Sequence, residues 1–126
     1  MRDNTNKITK KLCIRGGGKF CKQIFTYISD ADCKLEYEIV YIADKETSKH
    51  GTSVNNVIIG GVDKAIELYK QNDIHKFVII FSYGFKIINE MAKELLEKDI
   101  SKIDILVFRK DRFYTLEEII NIFKFQ

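Results

Sequence analysis

Proline and tryptophan are both absent from this 126-residue chain, and no apolar run approaches 18 residues. Because a helix needs about 20 consecutive apolar residues to cross a bilayer, the sequence predicts no membrane span. The chain also begins with a polar segment that lacks the apolar core of a signal peptide. We therefore expect a cytoplasmic protein.

Cysteine is scarce. Cys13, Cys21 and Cys33 are odd in number and lie eight and twelve residues apart. This spacing matches no zinc-binding pattern, so we expect no metal site. Reduced, mostly structural thiols are the corresponding prediction, as is usual in cytoplasmic proteins.

An excess of charge of one sign is also missing. The formal net charge is +3, and lysines alternate with acidic residues along most of the chain. This pattern is typical of solvated helix faces and does not indicate nucleic-acid binding, so we expect no nucleic-acid partner. The length fits one domain. We predict a flexible N-terminal arm at residues 1–10 and a single folded domain over residues 11–126.

A cluster of three glycines is the most informative feature that the chain does contain. A short apolar strand precedes Gly16, Gly17 and Gly18, and a helical pattern of apolar residues follows them. Strand, glycine turn and helix form the first unit of a Rossmann-type site, where the helix N-terminus binds a phosphate. Gly16 and Gly18 fit the first two positions of the G-x-G-x-x-G fingerprint, but Cys21 holds the third. From the glycines alone, a flexible turn without a ligand is an equal alternative.

The rest of the chain alternates strands with helices. Apolar patterns predict strands near residues 11–15, 36–43, 57–59, 76–81 and 103–108, helices near 19–29, 62–72 and 85–98, and a last helix capped by Thr115. Crossovers through helices favour parallel pairing. We predict an α/β fold, a three-layer α/β/α Rossmann-like domain with a five-stranded parallel sheet in the order 3-2-1-4-5. The strand order then reverses between the first and fourth strands, where open α/β sheets bind ligands.

Asp44 ends the second predicted strand, 26 residues after Gly18. A dinucleotide-binding fold places the carboxylate that binds the ribose hydroxyls at about this offset. The alternative is an aspartate that caps a surface turn. Lys45 and Lys49 lie nearby, but a carboxylate at the ribose repels a 2′-phosphate, which favours NAD or a UDP-sugar over NADP.

Ser82 and Tyr83 follow the fourth predicted strand and face the same crevice, where they either hydrogen-bond a ligand or simply start the next helix. Lys86 lies three residues after Tyr83, not the four that the Tyr-x-x-x-Lys pair of short-chain dehydrogenases requires. The sequence therefore predicts no complete catalytic constellation. Arg15 stands where an apolar residue is usual, and it either pairs with a phosphate or reaches solvent from the strand end.

Five segments together carry a family resemblance: KLCIRGGG at 11–18, IADK at 42–45, KHG at 49–51, VIIG at 57–60 and DIHKFVII at 73–80. The chain resembles the Rossmann-like domain at the N-terminus of nucleotide-sugar epimerase/dehydratases of bacterial polysaccharide synthesis. A similar domain precedes the left-handed helix of sugar acyltransferases. The resemblance implies that Gly16, Gly18 and Asp44 contact NAD or a nucleotide-sugar. The full predicted binding set is Gly16, Gly17, Gly18, Lys19, Phe20, Asp44, Lys45, Ser82 and Tyr83.

The leading hypothesis is a nucleotide- or nucleotide-sugar-binding module that serves sugar-nucleotide metabolism for surface polysaccharide synthesis. One alternative is an interaction or regulatory subunit that binds no ligand. Another is a small enzyme, an epimerase/dehydratase or acyltransferase component, that a partner chain completes. A sugar-nucleotide enzyme is one candidate partner. A second copy of the chain is the other, since the last helix carries more apolar residues than one inner stripe needs: Ile119, Ile120, Ile122, Phe123 and Phe125.

Overall fold

The structure, a computed structural model, describes residues 9–16, 18, 20–30, 36–81, 84–110 and 112–124. Within these ranges every strand and helix that the sequence predicts is present. The elements are β1 Lys10–Arg15, α1 Cys21–Asp30, β2 Tyr37–Ala43, β3 Ser53–Val54, β4 Val57–Gly60, α2 Val62–Lys70, β5 Lys76–Ile80, α3 Phe85–Glu97, β6 Ile105–Arg109, β7 Arg112–Thr115 and α4 Leu116–Lys124. Residues 1–8, most of the predicted N-terminal arm, lie outside the described residues.

The strands form one mixed sheet in the order β3-β4-β2-β1-β5-β6-β7. Its five inner strands are parallel and follow the predicted order 3-2-1-4-5, with β1 paired to β2 on one side and to β5 on the other. The continuous apolar run of β5 is buried at Phe77, Val78 and Ile79, as expected for a strand covered on both faces. The predicted α/β class and the switch point between β1 and β5 are therefore confirmed.

The predicted strand count of five is wrong, because one antiparallel strand is added at each edge of the sheet. At one edge, β3 pairs with β4 through a hairpin whose two turn residues, Asn55 and Asn56, have φ values of 50° and 67°. Asparagine tolerates this left-handed conformation, which tight hairpins require. At the other edge, β7 pairs antiparallel with β6. Both segments are short and half-exposed, so they lack the apolar runs that identify the inner strands.

The capping box predicted at the last helix is confirmed. The Thr115 backbone N–H donates to Oε1 of Glu118 over 2.8 Å, and the Glu118 N–H donates to the Thr115 hydroxyl over 3.0 Å. These reciprocal bonds satisfy two N–H groups that otherwise lack partners at a helix start. They fix the point where β7 ends and α4 begins.

Helices cover the two faces of the sheet unequally. One face packs against α2, α3 and α4, and the other packs against α1. This asymmetry follows from the connections, because β2 passes to β4 through a short 3₁₀ turn and a hairpin, not through an α-helix. The register between β1 and β2 shifts at Leu12 and Cys13, so Ile39 and Tyr41 point to opposite faces of β2.

Tyr41 explains why β4 ends in glycine. Its ring passes directly over Gly60, and its hydroxyl donates to the Gly61 carbonyl over 3.1 Å. A Cβ added at Gly60 would overlap the Tyr41 hydroxyl and lie 2.8 Å from Cζ of that ring. Tyr41 is 8% exposed, so the ring has little room to move away. Gly60 is therefore a packing requirement of this corner of the sheet.

Replacing Gly60 by alanine is expected to lower the free energy of unfolding by about 1–3 kcal/mol, the usual cost of overpacking. The control is Gly61→Ala, since a Cβ at Gly61 meets only an ordinary contact, 3.6 Å from the His50 ring. Urea denaturation of both variants measures the difference. Equal stability of Gly60→Ala and wild type would show that Tyr41 does not confine this position.

Candidate functional site

The glycine turn lies at the carboxyl end of β1, at the switch point of the sheet. Gly16 has a φ of 112°, a conformation that residues with a side chain rarely adopt. Its N–H donates to the Ala43 carbonyl over 2.6 Å, which joins the turn to the end of β2. The first turn of α1 is closed by a 3.0 Å bond from the Cys21 N–H to the Gly18 carbonyl. A Cβ at Gly18 would meet no atom of the other described residues within 4 Å, so the position is open towards them.

A small crevice opens beside this turn, with a volume of about 50 Å³. Its walls come from the ends of β1 and β5, the glycine turn and the first half of α3. The lining residues are Arg15, Gly16, Gly18, Phe20, Ile80, Ile87 and Met91. Since a cavity of about 10–15 Å³ is enough to hold one water molecule, the crevice has room for one small chemical group. Arg15 is the only charged side chain among these lining residues.

The Arg15 side chain is 5% exposed and forms an ion pair with Glu94 of α3. Nη2 and Nε of the guanidinium lie 3.1 Å and 3.4 Å from the same carboxylate oxygen, Oε1. The other oxygen of Glu94 lies 2.6 Å from Nζ of Lys45. Of the two alternatives for Arg15, the one in which its side chain reaches solvent is therefore wrong. These three side chains, the Arg15–Glu94–Lys45 triad, connect β1, the segment after β2, and α3.

The triad keeps Glu94 ionised. Burial by itself would raise the pKa of this carboxyl, but the hydrogen bonds and positive charges of Lys45 and Arg15 outweigh it and lower the pKa below its ordinary value of 4.5. Glu94 is therefore an anion at neutral pH. Its charge compensates that of the buried guanidinium.

Asp44 caps the turn that follows β2. Its Oδ1 accepts the Glu46 N–H over 2.8 Å, and its Oδ2 lies 3.6 Å from Nζ of Lys49. The side chain is 14% exposed. The turn-capping alternative is therefore realised, and the carboxylate also lines a cavity at the same edge of the sheet. Its predicted contact with a ribose stays a prediction.

This second cavity, of about 260 Å³, lies between the N-terminus of α2 and the second half of α3. It is lined by Asp44, Lys45, His50, Gly61, Val62, Asp63, Glu94 and Lys98. The His50 ring is held in place because Nε2 lies 2.7 Å from the Asp44 carbonyl oxygen. The volume approaches the range of about 300–1,000 Å³ that is typical of small-molecule sites. Glu94 and Lys45 line this cavity and Arg15 lines the small crevice, so the triad stands between them.

The two described cysteines do not supply a nucleophile. Cys21, which occupies the third fingerprint position, is buried, and its burial, with the nearby charge of Asp44, raises the pKa of the thiol to about 11. Cys13 is fully buried in β1, and burial raises the pKa of its thiol as well. Both thiols are neutral near pH 7, whereas the reactive form of cysteine is the thiolate. They act as packing residues.

Five members of the predicted binding set fall within the described residues. The structure brings Gly16, Gly18 and Phe20 together around the small crevice, and it places Asp44 and Lys45 in the neighbouring cavity. Gly17, Lys19, Ser82 and Tyr83 lie outside the described residues.

Sequence reasoning missed Glu94 as a site residue. An arginine at the end of a buried strand signals that some acid must compensate it. The sequence does not indicate which acid, because Arg15 and Glu94 are 79 residues apart.

In the part of the chain that the structure describes, no group of three or more His, Cys, Asp or Glu side chains is arranged to hold a metal ion. No helix in that part is both long and apolar enough to cross a membrane.

Comparison with known proteins identifies the fold. No protein-family model matches the sequence, and no curated protein matches it. A UDP-D-quinovosamine 4-dehydrogenase from Vibrio fischeri is structurally similar, with a TM-score of 0.64 and 18% identity over 90% of this chain and 85% of that chain. RSP, a Rex-family repressor, has a TM-score of 0.60 and 16% identity over 93% of this chain and 58% of its own.

RSP in complex with beta-NADH is similar as well, with a TM-score of 0.59 and 19% identity over 86% of this chain and 50% of that one. This chain thus spans about half the length of the RSP chains. At such low identities the similarity shows the fold alone. The chain has the Rossmann-like α/β fold that these nucleotide-sugar and NAD-binding proteins share.

Proposed function

We propose that this chain is a nucleotide-binding module whose ligand is NAD(H) or a nucleotide-sugar. The observation that carries the proposal is the open glycine turn at the switch point between β1 and β5, beside a crevice that contains a buried arginine. Open α/β sheets bind ligands at this place, and backbone N–H groups at a helix start favour a phosphate. Structural similarity to a UDP-sugar dehydrogenase and to an NADH-bound repressor supports the same class of ligand.

The two cavities suggest where the parts of such a ligand would lie. A phosphate would occupy the small crevice beside Gly16 and Gly18, and the nucleoside would occupy the larger cavity near Asp44. Asp44 would accept hydrogen bonds from the ribose hydroxyls, and its negative charge would disfavour the 2′-phosphate of NADP. Lys45, which lines the larger cavity and pairs with Glu94, would contact the phosphate edge.

The proposed biological role is sugar-nucleotide metabolism for surface polysaccharide synthesis, with a sugar-nucleotide enzyme or a second copy of this chain as partner. The family resemblance of the five segments at 11–18, 42–45, 49–51, 57–60 and 73–80 supports this role. So does the structural similarity to UDP-D-quinovosamine 4-dehydrogenase. No catalytic step is proposed for the chain.

Binding to NAD, NADP and UDP-N-acetylglucosamine tests the ligand class. A ligand at 100 times its dissociation constant stabilises a protein by about 2.7 kcal/mol, which a thermal-shift screen detects. We expect Gly18→Val to weaken binding of the best ligand at least a hundred-fold, because a side chain at this open position blocks the approach of a phosphate. The circular-dichroism spectrum should be unchanged, since the added Cβ meets no atom of the non-adjacent residues that the structure describes within 4 Å.

Asp44→Asn tests the ribose contact, because asparagine keeps one oxygen for the Glu46 N–H but loses the charge and the second acceptor oxygen. We expect a loss of about ten- to hundred-fold in affinity, the range that hydrogen bonds to charged groups contribute. Asp73→Asn removes the same charge from an exposed position before the amino end of β5, at the opposite end of the parallel strands, and should have no effect. Equal affinity of Gly18→Val and wild type would place the ligand elsewhere. Absence of any nucleotide binding by wild type would favour the interaction module.

A further inference from the structure

Within the described part of the chain, protein groups satisfy the guanidinium of Arg15 only in part. An arginine carries five N–H donors. Two of them point to a single oxygen of Glu94, over 3.1 Å and 3.4 Å, and among the described residues no second acceptor contacts this side chain. A charged group that is 5% exposed ordinarily has all its donors paired, since each unpaired one costs free energy. The remaining donors belong to a side chain that lines the crevice beside the glycine turn.

The contact with Glu94 is also a poor match for arginine. Arginine binds carboxylates and phosphates best in a fork, with two parallel N–H bonds to two different oxygens. Here both bonds share Oε1, because Oε2 lies 2.6 Å from Nζ of Lys45. Glu94 is 24% exposed, and Lys45 is 68% exposed and keeps this carboxylate paired from the solvent side. The carboxylate therefore has a second cation to remain with if it leaves Arg15.

From this geometry we infer that Glu94 competes with the phosphate of a ligand for Arg15, so that a phosphate entering the glycine-turn crevice displaces Glu94 towards Lys45. The inference rests on the proposed nucleotide site and explains which ligands that site would select. Only a group that binds arginine more strongly than the resident carboxylate gains from the exchange. A diphosphate, with two negatively charged groups and several oxygens for a forked contact, satisfies this condition, whereas a neutral sugar or nucleoside does not.

A second consequence concerns the two cavities. Glu94 and Lys45 line the cavity of about 260 Å³, and Arg15 lines the crevice of about 50 Å³. When Glu94 moves away from Arg15, the barrier between them opens. A ligand that carries a phosphate and a nucleoside then reaches both from one position. The phosphate thereby controls access for the rest of the ligand.

Titration calorimetry with inorganic pyrophosphate at low ionic strength tests the competition. Glu94→Gln removes the competing charge and is expected to bind pyrophosphate about ten- to hundred-fold more tightly than wild type, the range of one charge-assisted hydrogen bond. Arg15→Met is expected to lose this binding. A purely structural ion pair predicts the opposite sign for Glu94→Gln, because disturbing the site would weaken binding.

The matched control is Glu67→Gln, which changes the net charge equally. Glu67 pairs with Lys64 over 3.5 Å on the exposed face of α2, away from the triad. The affinity of Glu67→Gln for pyrophosphate should equal that of wild type. If Glu94→Gln does not fold, Glu94→Asp withdraws the carboxylate by one methylene and should shift the affinity in the same direction by less.

Equal affinity of Glu94→Gln and Glu67→Gln would overturn the inference, and so would an absence of pyrophosphate binding by every variant. Failure of this inference can be distinguished from failure of the proposed nucleotide binding. Nucleotide binding that Gly18→Val abolishes and Glu94→Gln leaves unchanged overturns only the competition. Pyrophosphate binding that requires Arg15, without binding of any nucleotide, overturns only the nucleotide ligand.

Discussion

Replacing Phe77 by alanine is expected to lower the free energy of unfolding by about 3–5 kcal/mol, the usual cost of removing a buried phenylalanine. Phe77 is fully buried in β5, the strand whose run of apolar residues fills both faces of the sheet. The centroid of its ring lies 5.8 Å from the ring centroid of Tyr69 on α2. Alanine leaves a cavity that the parallel strands on either side cannot close. Urea denaturation, read as the change in midpoint at constant slope, measures the effect.

Phe113→Ala is the control for this substitution, since it removes the same side chain from edge strand β7. Phe113 is only partly buried, although its ring contacts those of Tyr27, Tyr37 and Phe108. We expect it to lose about half as much stability as Phe77→Ala, because less apolar area is removed from the core. Equal losses at the two positions would contradict the assignment of β5 as the centre of the core.

The second large effect is expected from the Arg15–Glu94–Lys45 triad. Glu94→Gln leaves a guanidinium that is 5% exposed without its counter-charge, and we expect a loss of about 2–4 kcal/mol. Replacement of both partners in Arg15→Met/Glu94→Gln removes the buried charge as well, so the double variant should recover a large part of the loss. Additive losses in this double-mutant cycle would show that Arg15 and Glu94 do not interact in solution.

The same pair makes stability depend on pH. The pKa of Glu94 is lower in the folded protein than its ordinary value of 4.5, so the folded state favours the ionised form. The stabilisation is therefore complete above about pH 4.5 and is lost as the pH falls through the folded-state pKa. Wild type and Glu94→Gln should converge in stability as the solution becomes more acidic. A difference between them that stays constant down to the lowest pH at which both fold would contradict this assignment.

The inner sheet could be predicted because its signals are local. The apolar run of β5, the glycine turn after β1 and the capping box at Thr115 each depend on a few adjacent residues, and all three are present in the structure. The edge strands have weaker local signals. In the structure Asn55 and Asn56 form the turn of the β3–β4 hairpin with positive φ values. In the sequence, however, β3 is only two residues long, which is too short to show an apolar pattern.

The site was only partly predictable, because its geometry depends on how α3 lies across the sheet. The residues of the glycine turn are adjacent in sequence, so their grouping follows from the chain itself. Glu94 meets Arg15 only after β5 has paired with β1 and α3 has packed on the sheet. The face that Glu94 presents is set by the burial of Ile88, Ala92 and Leu95 on the opposite stripe of that helix. Such a contact is a product of tertiary structure.

The short antiparallel strands at the two margins of the sheet also affect how the molecules behave in concentrated solution. An exposed strand edge is a template on which another chain can add its own strand. Here the parallel strands are shielded by β3, which spans two residues, and by β7, which spans four and continues directly into α4. Among the described residues, neither margin offers a long row of unpaired backbone groups for polymerisation. Recognition between copies would therefore depend on side chains of the helices, not on extension of the sheet.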